Sequence, residues 1–216
     1  MLHPHFYHEH TRRAVAVFGT LFNNIDVVKR DSSGKVISSV KVPLAYGPRQ
    51  KFLSRIRQEE NLSDSKLAIK LPRMSFEISS FAYDETMQLS RGTGYTLDGT
   101  ISSNGAKKLY YPSTYRLGFE LNILSKTMDD ALQILEQIIP FFQPEYSVTV
   151  HELDGRFKAD MPFVLNSVTM NDDYEGDFLT RRAIVYTLSF ETRVKYYGPI
   201  LPDDGSDYPV VKSVKY

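Results

Sequence analysis

The residues best suited to chemistry are four histidines near the start of the chain. His3, His5, His8 and His10 lie close together, and imidazole nitrogens are common ligands of Zn²⁺ and Ni²⁺. Pro4 splits the series, however, and no carboxylate pattern of a catalytic zinc site accompanies it. We therefore interpret the cluster as part of a solvated or subunit-contacting arm, and we expect neither a metal nor a cofactor.

A second candidate is an acidic run between two predicted strands. Its members are Asp172, Asp173, Glu175 and Asp177. Carboxylates this close together could bind Ca²⁺, but the ligand spacing and closing glutamate of an EF-hand loop are missing. Arg181 and Arg182 follow a few residues later. The sequence therefore favours ion pairs between this run and the two arginines, within one subunit or between neighbours.

Other catalytic patterns are missing from the sequence. Gly92 and Gly94 lack the strand-to-helix context and the Lys-Ser/Thr ending of a phosphate-binding loop. There is no Gly-x-Ser-x-Gly elbow, and the absence of cysteine excludes thiol nucleophiles, thiolate metal sites and disulfides. We predict that the protein is not an enzyme. The alternative from that class is a metal-dependent enzyme that uses the histidine cluster or the acidic run.

The composition favours assembly with other proteins over nucleic-acid binding. The 216 residues include 26 basic and 26 acidic side chains, so no broad basic field is available to hold a phosphate backbone. A chain without net charge also self-associates more readily than a charged one. The 14 Tyr and 13 Phe suit protein interfaces, although strands favour aromatic residues equally.

Membrane insertion and secretion are not expected from the sequence. No apolar run is long enough to span a bilayer, and the polar, aromatic N-terminus lacks the features of a signal peptide. We expect folding in a reducing cytoplasm, without a membrane partner and without direct nucleic-acid contact.

Hydrophobic periodicity predicts an α+β fold: a mainly antiparallel sheet flanked by about three helices. Helices are predicted over residues 11–22, 48–60 and 128–142. Strands are predicted over residues 25–30, 36–46, 67–83, 110–124, 146–153, 161–170 and 183–197. The last helix has the clearest start, because Thr127 can cap it and Asp129 and Asp130 suit its positive end.

The chain reads as one domain over residues 1–197 with extended segments attached. These segments are an N-terminal arm at 1–10, a variable loop or hairpin excursion at 86–108, and a C-terminal arm at 198–216. Val210 and Val211 lie in the last arm and could add a strand to a neighbouring sheet.

Several phrases, in order along the chain, resemble one known family. They are His5-Phe-Tyr7, Arg12-Arg13, Phe18-Gly-Thr-Leu-Phe-Asn-Asn-Ile25, Val42-Pro-Leu-Ala-Tyr46, Leu71-Pro-Arg-Met-Ser75, Glu136-Gln-Ile-Ile-Pro-Phe-Phe-Gln-Pro144, Glu175-Gly-Asp177, Arg181-Arg182 and Tyr186-Thr-Leu-Ser-Phe-Glu191. Together they resemble the proximal tail sheath stabilisers of T4-like contractile phages, including phages that infect cyanobacteria. The chain departs from the family at 86–108 and lacks the long Pro- and acid-rich tail of the T4 member.

The resemblance implies a fold and a role. The fold would be that of phage tail terminators, a sheet flanked by helices. The protein would form a hexameric ring in the neck of the virion, cap the head-proximal end of the sheath, and stand between the tube terminator and the head-completion ring. It would assemble in the host cytoplasm. A tail-tube terminator, which shares the fold and the ring, is the alternative within the same class.

Candidate interface residues follow from these arms, the charged segments and exposed aromatic positions. They are Phe6, Tyr7, Arg12, Arg13, Arg73, Asp172, Asp173, Glu175, Asp177, Arg181, Arg182, Tyr196, Tyr197, Val210 and Val211. We expect the arms to bind partners by adding to sheet edges, and the acidic run to pair with arginines across subunits.

Overall fold

The computed structural model describes residues 5–58, 71–90, 93–97, 107–153, 157–173, 183–199 and 201–202. Within these ranges the helices are α1 (His10–Leu21), α2 (Arg49–Gln58) and α3 (Met128–Ile138). The strands are β1 (Asp26–Arg30), β2 (Val36–Lys41), β3 (Leu44–Tyr46), β4 (Arg73–Tyr83), β5 (Gly94–Leu97), β6 (Lys107–Tyr110), β7 (Ser113–Ser125), β8 (Glu145–Glu152), β9 (Phe157–Asp173), β10 (Ala183–Tyr196) and β11 (Leu201–Pro202). The predicted α+β class is confirmed.

A six-stranded sheet in the order β3-β4-β7-β10-β9-β8 forms the centre of the fold. All neighbours pair antiparallel except β3, which lies parallel to β4. Strand β7 is buried along most of its length, because its two strand neighbours and the layers above and below enclose it. This long central strand sets the register of the whole sheet.

The main core lies between one face of this sheet and helices α1 and α3. Phe18 of α1 is fully buried and stacks on Phe119 of β7, with ring centroids 4.5 Å apart and planes 9° from parallel. The ring of Phe190, on β10, packs edge-on against the ring of Phe18, with 5.3 Å between the two centroids. These aromatic contacts fix α1 across the middle of the sheet, because both geometries are favourable for stacked rings.

The other face of the sheet carries helix α2 at one end. Phe52 of α2 is buried with Leu124 of β7 and Val185 of β10. The guanidinium carbon of Arg73 lies 5.2 Å from the centroid of the Phe52 ring, a distance at which a cation is attracted to the ring face.

Strands β1 and β2 form a separate two-stranded hairpin. Its turn is closed by the backbone N–H of Gly34, which donates to the carbonyl of Asp31 at 2.8 Å. Gly34 has a φ of 80°, a conformation that glycine adopts without strain. The hairpin is joined to α3 through two glutamines: the N–H of Val28 donates to Gln133 Oε1 at 3.1 Å, and Gln137 Nε2 donates to the carbonyl of Asp26 at 2.8 Å.

A three-stranded sheet, in the order β11-β6-β5, contains parts of two segments that were predicted to be extended. Strands β5 and β6 pair antiparallel; they lie within and just after the segment 86–108, for which the sequence predicts a variable loop or hairpin excursion. Leu201 of β11 pairs with Lys108 of β6. The beginning of the predicted C-terminal arm therefore lies against this hairpin.

Prolines account for three of the differences between the predicted and observed element boundaries. The strand predicted over 36–46 divides into β2 and β3 at Pro43, and β4 begins only after Pro72. The helix predicted over 128–142 ends at Ile138 and continues as a 3₁₀ turn that contains Pro140. A proline has no backbone N–H, so it interrupts strand ladders and helices alike.

Candidate assembly site

The N-terminal arm is partly exposed and partly held by its own chain. Phe6 and Tyr7 are exposed, as expected of residues that could contact a partner. His8 Nε2 donates to the carbonyl of Gly198 at 3.0 Å. His10 is buried at the start of α1, and its ring contacts Tyr197 with centroids 5.6 Å apart. The second half of the arm therefore lies beside the start of the C-terminal arm.

Burial determines the protonation state of His10. Removal from water, together with the nearby His8 and Arg13, lowers the pKa of His10 to about 4. The imidazole is therefore neutral at pH 7, and it accepts the N–H of Tyr197 at a long 3.5 Å. Among the described residues, no three His, Cys, Asp or Glu side chains come close enough to hold a metal ion.

Tyr196 and Tyr197, at the end of β10, make contacts within the chain. The hydroxyl of Tyr196 and Thr11 Oγ1 are 2.7 Å apart, while the buried Tyr197 hydroxyl donates to the carboxylate of Glu152. Burial raises the pKa of Glu152 and the pKa of Tyr197. A contact of either tyrosine with a second protein stays a prediction.

The candidate arginines of the described chain have different surroundings. Arg12 forms an exposed ion pair with Glu9, with 3.0 Å between Arg12 Nη1 and Glu9 Oε1. Arg13 Nη1 donates to the carbonyl of His151 at 3.1 Å and so ties α1 to the edge strand β8. Arg73 lies over Phe52, as described above. Of the three, Arg12 is the most available to a partner.

The predicted acidic loop begins later than expected. Asp172 and Asp173 belong to strand β9, where their backbones lie opposite Ile184 and Ala183 of β10, so they extend the sheet instead of opening a loop. The other members of the predicted charged segment and the C-terminal arm lie outside the described residues: Glu175, Asp177, Arg181, Arg182, Val210 and Val211. The proposed ion pairs stay a prediction.

The structure places one ion pair that sequence reasoning missed. Arg193 Nε of β10 lies 3.0 Å from Oδ2 of the buried Asp84. A hydrogen bond from the Thr86 hydroxyl is the main cause that lowers the pKa of Asp84, and Arg193 adds to it. No local pattern indicates this pair, because Asp84 directly follows β4 and Arg193 lies in β10, which is far away in the sequence.

Two exposed apolar surfaces were also missed. The hairpin surface is the set of exposed aliphatic side chains on β2, namely Val36, Ile37 and Val40, and Ile37 is 68% exposed. Val36 pairs with Arg30 and Val40 with Val27, so these two valines lie on different faces of the hairpin. The groove is a concave region of about 590 Å³ between the ends of α1 and α3. Its apolar lining includes Phe22, Ile25, Phe141, Phe142 and Tyr146. The signals available in the sequence were the unbroken apolar pair Val36-Ile37 and the adjacent Phe141-Phe142.

The described sheet and helices thus carry exposed apolar and charged side chains. No helix in the described part of the chain is long and apolar enough to cross a membrane. The model of the T4-like virus Myoviridae tail sheath stabiliser family matches residues 5–216, and the chain therefore belongs to that family. Its resemblance to these phage proteins is confirmed, and it is a structural component of the virion tail.

One curated relative can be compared along nearly the whole chain. The protein is 29% identical over 211 residues to "Tail completion protein gp15" of Enterobacteria phage T4. The aligned part covers 93% of this chain and 75% of the T4 protein.

Proposed function

We propose that the protein forms a closed ring of six copies that caps the head-proximal end of the contractile tail sheath and helps to join the tail to the head. The observation that carries the proposal is the match to the tail sheath stabiliser family over residues 5–216. The name of the T4 relative, a tail completion protein, supports a position at the end of the tail.

A closed ring needs an interface between two different surfaces of the same chain. Exposed apolar side chains on β2 and in the groove between α1 and α3 provide such surfaces within the described residues. A dimer with twofold symmetry would instead need one surface that is complementary to itself. The presence of two unlike apolar surfaces therefore favours head-to-tail assembly.

The proposed partners are the sheath protein, the tail-tube terminator and the head-completion ring. The cap acts by contact, without catalysis, a cofactor, a membrane or direct reading of nucleic acid. The exposed Phe6 and Tyr7 lie in an arm that can reach beyond the sheet, which suits binding to an adjacent subunit. Assembly in the host cytoplasm agrees with a chain that contains no cysteine.

The test combines native mass with binding to polymerised tail parts. Light scattering of a six-membered ring should give about 150 kDa, six times the chain mass of 24.8 kDa. The protein should sediment with polymerised sheath, and a Phe6→Ala, Tyr7→Ala variant should bind less than a Gln50→Ala control. Binding to tube ends in place of sheath ends would support a tail-tube terminator. A monomer that binds neither would overturn the proposal.

A further inference from the structure

The hairpin β1–β2 is a separate two-stranded sheet with exposed aliphatic side chains. Its base is fixed to α3 by two hydrogen bonds, one that Gln133 Oε1 accepts from the N–H of Val28 and one that Gln137 Nε2 donates to the carbonyl of Asp26. Its far end is closed by a tight turn. Val36, Ile37 and Val40 are nevertheless 49%, 68% and 49% exposed. A fixed strand pair that exposes three aliphatic side chains is suited to insertion into an apolar site.

The groove offers a site of matching character. Its wall carries the aromatic rings of Phe22, Phe142 and Tyr146, and Phe141 stands at its rim with 64% of its surface exposed. A volume of about 590 Å³ is large enough for several aliphatic side chains. Concave aromatic pockets of this kind are where the strongest contributions to protein association are usually found.

The charges around the two surfaces are opposite. Residues 26–41, which include the hairpin, contain four basic side chains and two acidic ones. Residues 136–146, which run from the last turn of α3 past the rim of the groove, contain two acidic side chains, Glu136 and Glu145, and no Lys or Arg. Glu136 and Glu145 make no ion pair with any described residue, and the same is true of Lys29 and Lys35. Opposite fields of this kind orient two surfaces as they approach.

We infer that the occupant of the groove is the β1–β2 hairpin of a second copy of this chain. Ile37, the most exposed aliphatic side chain of the hairpin surface, inserts between the aromatic rings, and the basic residues of the hairpin face the acidic rim. The contact joins two unlike surfaces, so repetition of it from copy to copy produces a ring when the rotation closes. The inference rests on the proposed ring and assigns the surfaces that build it.

The absence of cysteine from the natural chain permits a direct test. Ile37→Cys and Phe141→Cys proteins, each with a different affinity tag, are mixed and mildly oxidised. The experiment is run on the free protein and again with polymerised sheath, so that assembly on the tail is included. We expect a disulfide-linked heterodimer containing both tags. A Gln50→Cys protein, substituted on the opposite face of the sheet, serves as the control partner and should give only background cross-linking.

Charge reversal tests the orientation of the contact independently. Lys29→Glu with Lys35→Glu, or Glu136→Lys with Glu145→Lys, should weaken self-association about tenfold by sedimentation analysis. A mixture of the two reversed proteins should associate again, which a general loss of folding could not produce. Circular dichroism of each variant should match that of the wild type.

The outcomes separate the inference from the ring proposal. A ring with no Ile37–Phe141 disulfide above the Gln50 control would overturn the inference and leave the ring in place. Cross-linking of Ile37→Cys to sheath, instead of to a second copy, would also overturn it. Failure to oligomerise, both in solution and on sheath, would overturn the proposed ring and the inference together.

Discussion

The aromatic cluster under α1 and the aromatic groove beside it contain the same types of side chain in different situations. Phe18 is enclosed by rings from four strands of its own chain. Phe141, in the 3₁₀ turn that follows α3, is mostly exposed. Burial within the chain contributes to folding stability, whereas burial by a second molecule contributes only to association. The presence of aromatic side chains alone therefore does not distinguish the core from an interface.

The largest difference in folding stability is expected when one aromatic ring is removed from each region. Phe18→Ala should lower the free energy of unfolding by about 3–5 kcal/mol, because it removes a ring from a closely packed core. Phe141→Ala should change it by less than about 0.5 kcal/mol and should weaken self-association. Urea denaturation and light scattering of both variants provide the measurements. Similar losses of folding stability in the two variants would contradict the distinction.

The contact between the two arms makes the stability of the fold depend on pH. The pKa of His10 is lowered to about 4 from an ordinary value of 6.5, so the unfolded chain binds a proton more readily between these values. Stability should therefore fall as the pH is lowered from 6.5 towards 4.

A matched variant isolates this effect. His8, Arg13 and the two tyrosines at the end of β10 surround His10, and the raised pKa of Glu152 acts in the opposite direction. Thermal unfolding of the wild type and of His10→Gln should therefore be compared across this range of pH. The difference between them should change as the pH falls from 6.5 towards 4 and should stay constant above 6.5. A difference that stays constant across the whole range would contradict the assignment.

Removal of a hydrogen bond between the hairpin and α3 should have a smaller effect on the free energy of unfolding. Gln137→Ala removes the hydrogen bond from Nε2 to the carbonyl of Asp26 and the one from the N–H of Asp26 to Oε1. We expect a loss of about 1 kcal/mol and faster hydrogen exchange along β1. Gln143→Ala, whose side chain makes only a weak local bond of 3.4 Å to Pro140, is the control. Unchanged exchange in β1 would argue against a rigid hairpin.

The smallest effect is expected at the exposed ion pair of the N-terminal arm. Arg12→Ala should change the free energy of unfolding by less than about 0.5 kcal/mol, because its partner Glu9 is also exposed to solvent. If Arg12 contacts a partner as predicted, the same variant should bind sheath less well. Chemical denaturation and sheath sedimentation together decide between the two roles.

Local signals in the sequence predicted most of the elements. Helix α3 was found from its apolar period and its cap, and Thr127 Oγ1 does accept the N–H of Asp130 at 3.4 Å. The break at Pro43 was missed because the apolar residues on both sides of it continue a strand pattern. The pairing of β3 with β4 is parallel and non-local, so no short-range pattern could indicate it.

The candidate site was less predictable, because exposure depends on how distant segments pack. Ile37 and Val27 belong to one hairpin, yet Val27 is buried and Ile37 is exposed. The His8–Gly198 hydrogen bond joins residues 190 positions apart. Aliphatic side chains near a turn indicate a strand, but whether they meet the core or the solvent is decided by tertiary structure.

The two glutamines of α3 have a further consequence for the hairpin. Their side-chain amides occupy backbone groups of Asp26 and Val28 on the side of β1 that faces away from β2. Among the strands that the structure describes, β2 alone therefore offers an unpaired edge of this hairpin to a visiting strand. The hairpin can be extended once, in one direction, and it cannot serve as a two-sided template on which identical strands stack into a fibre.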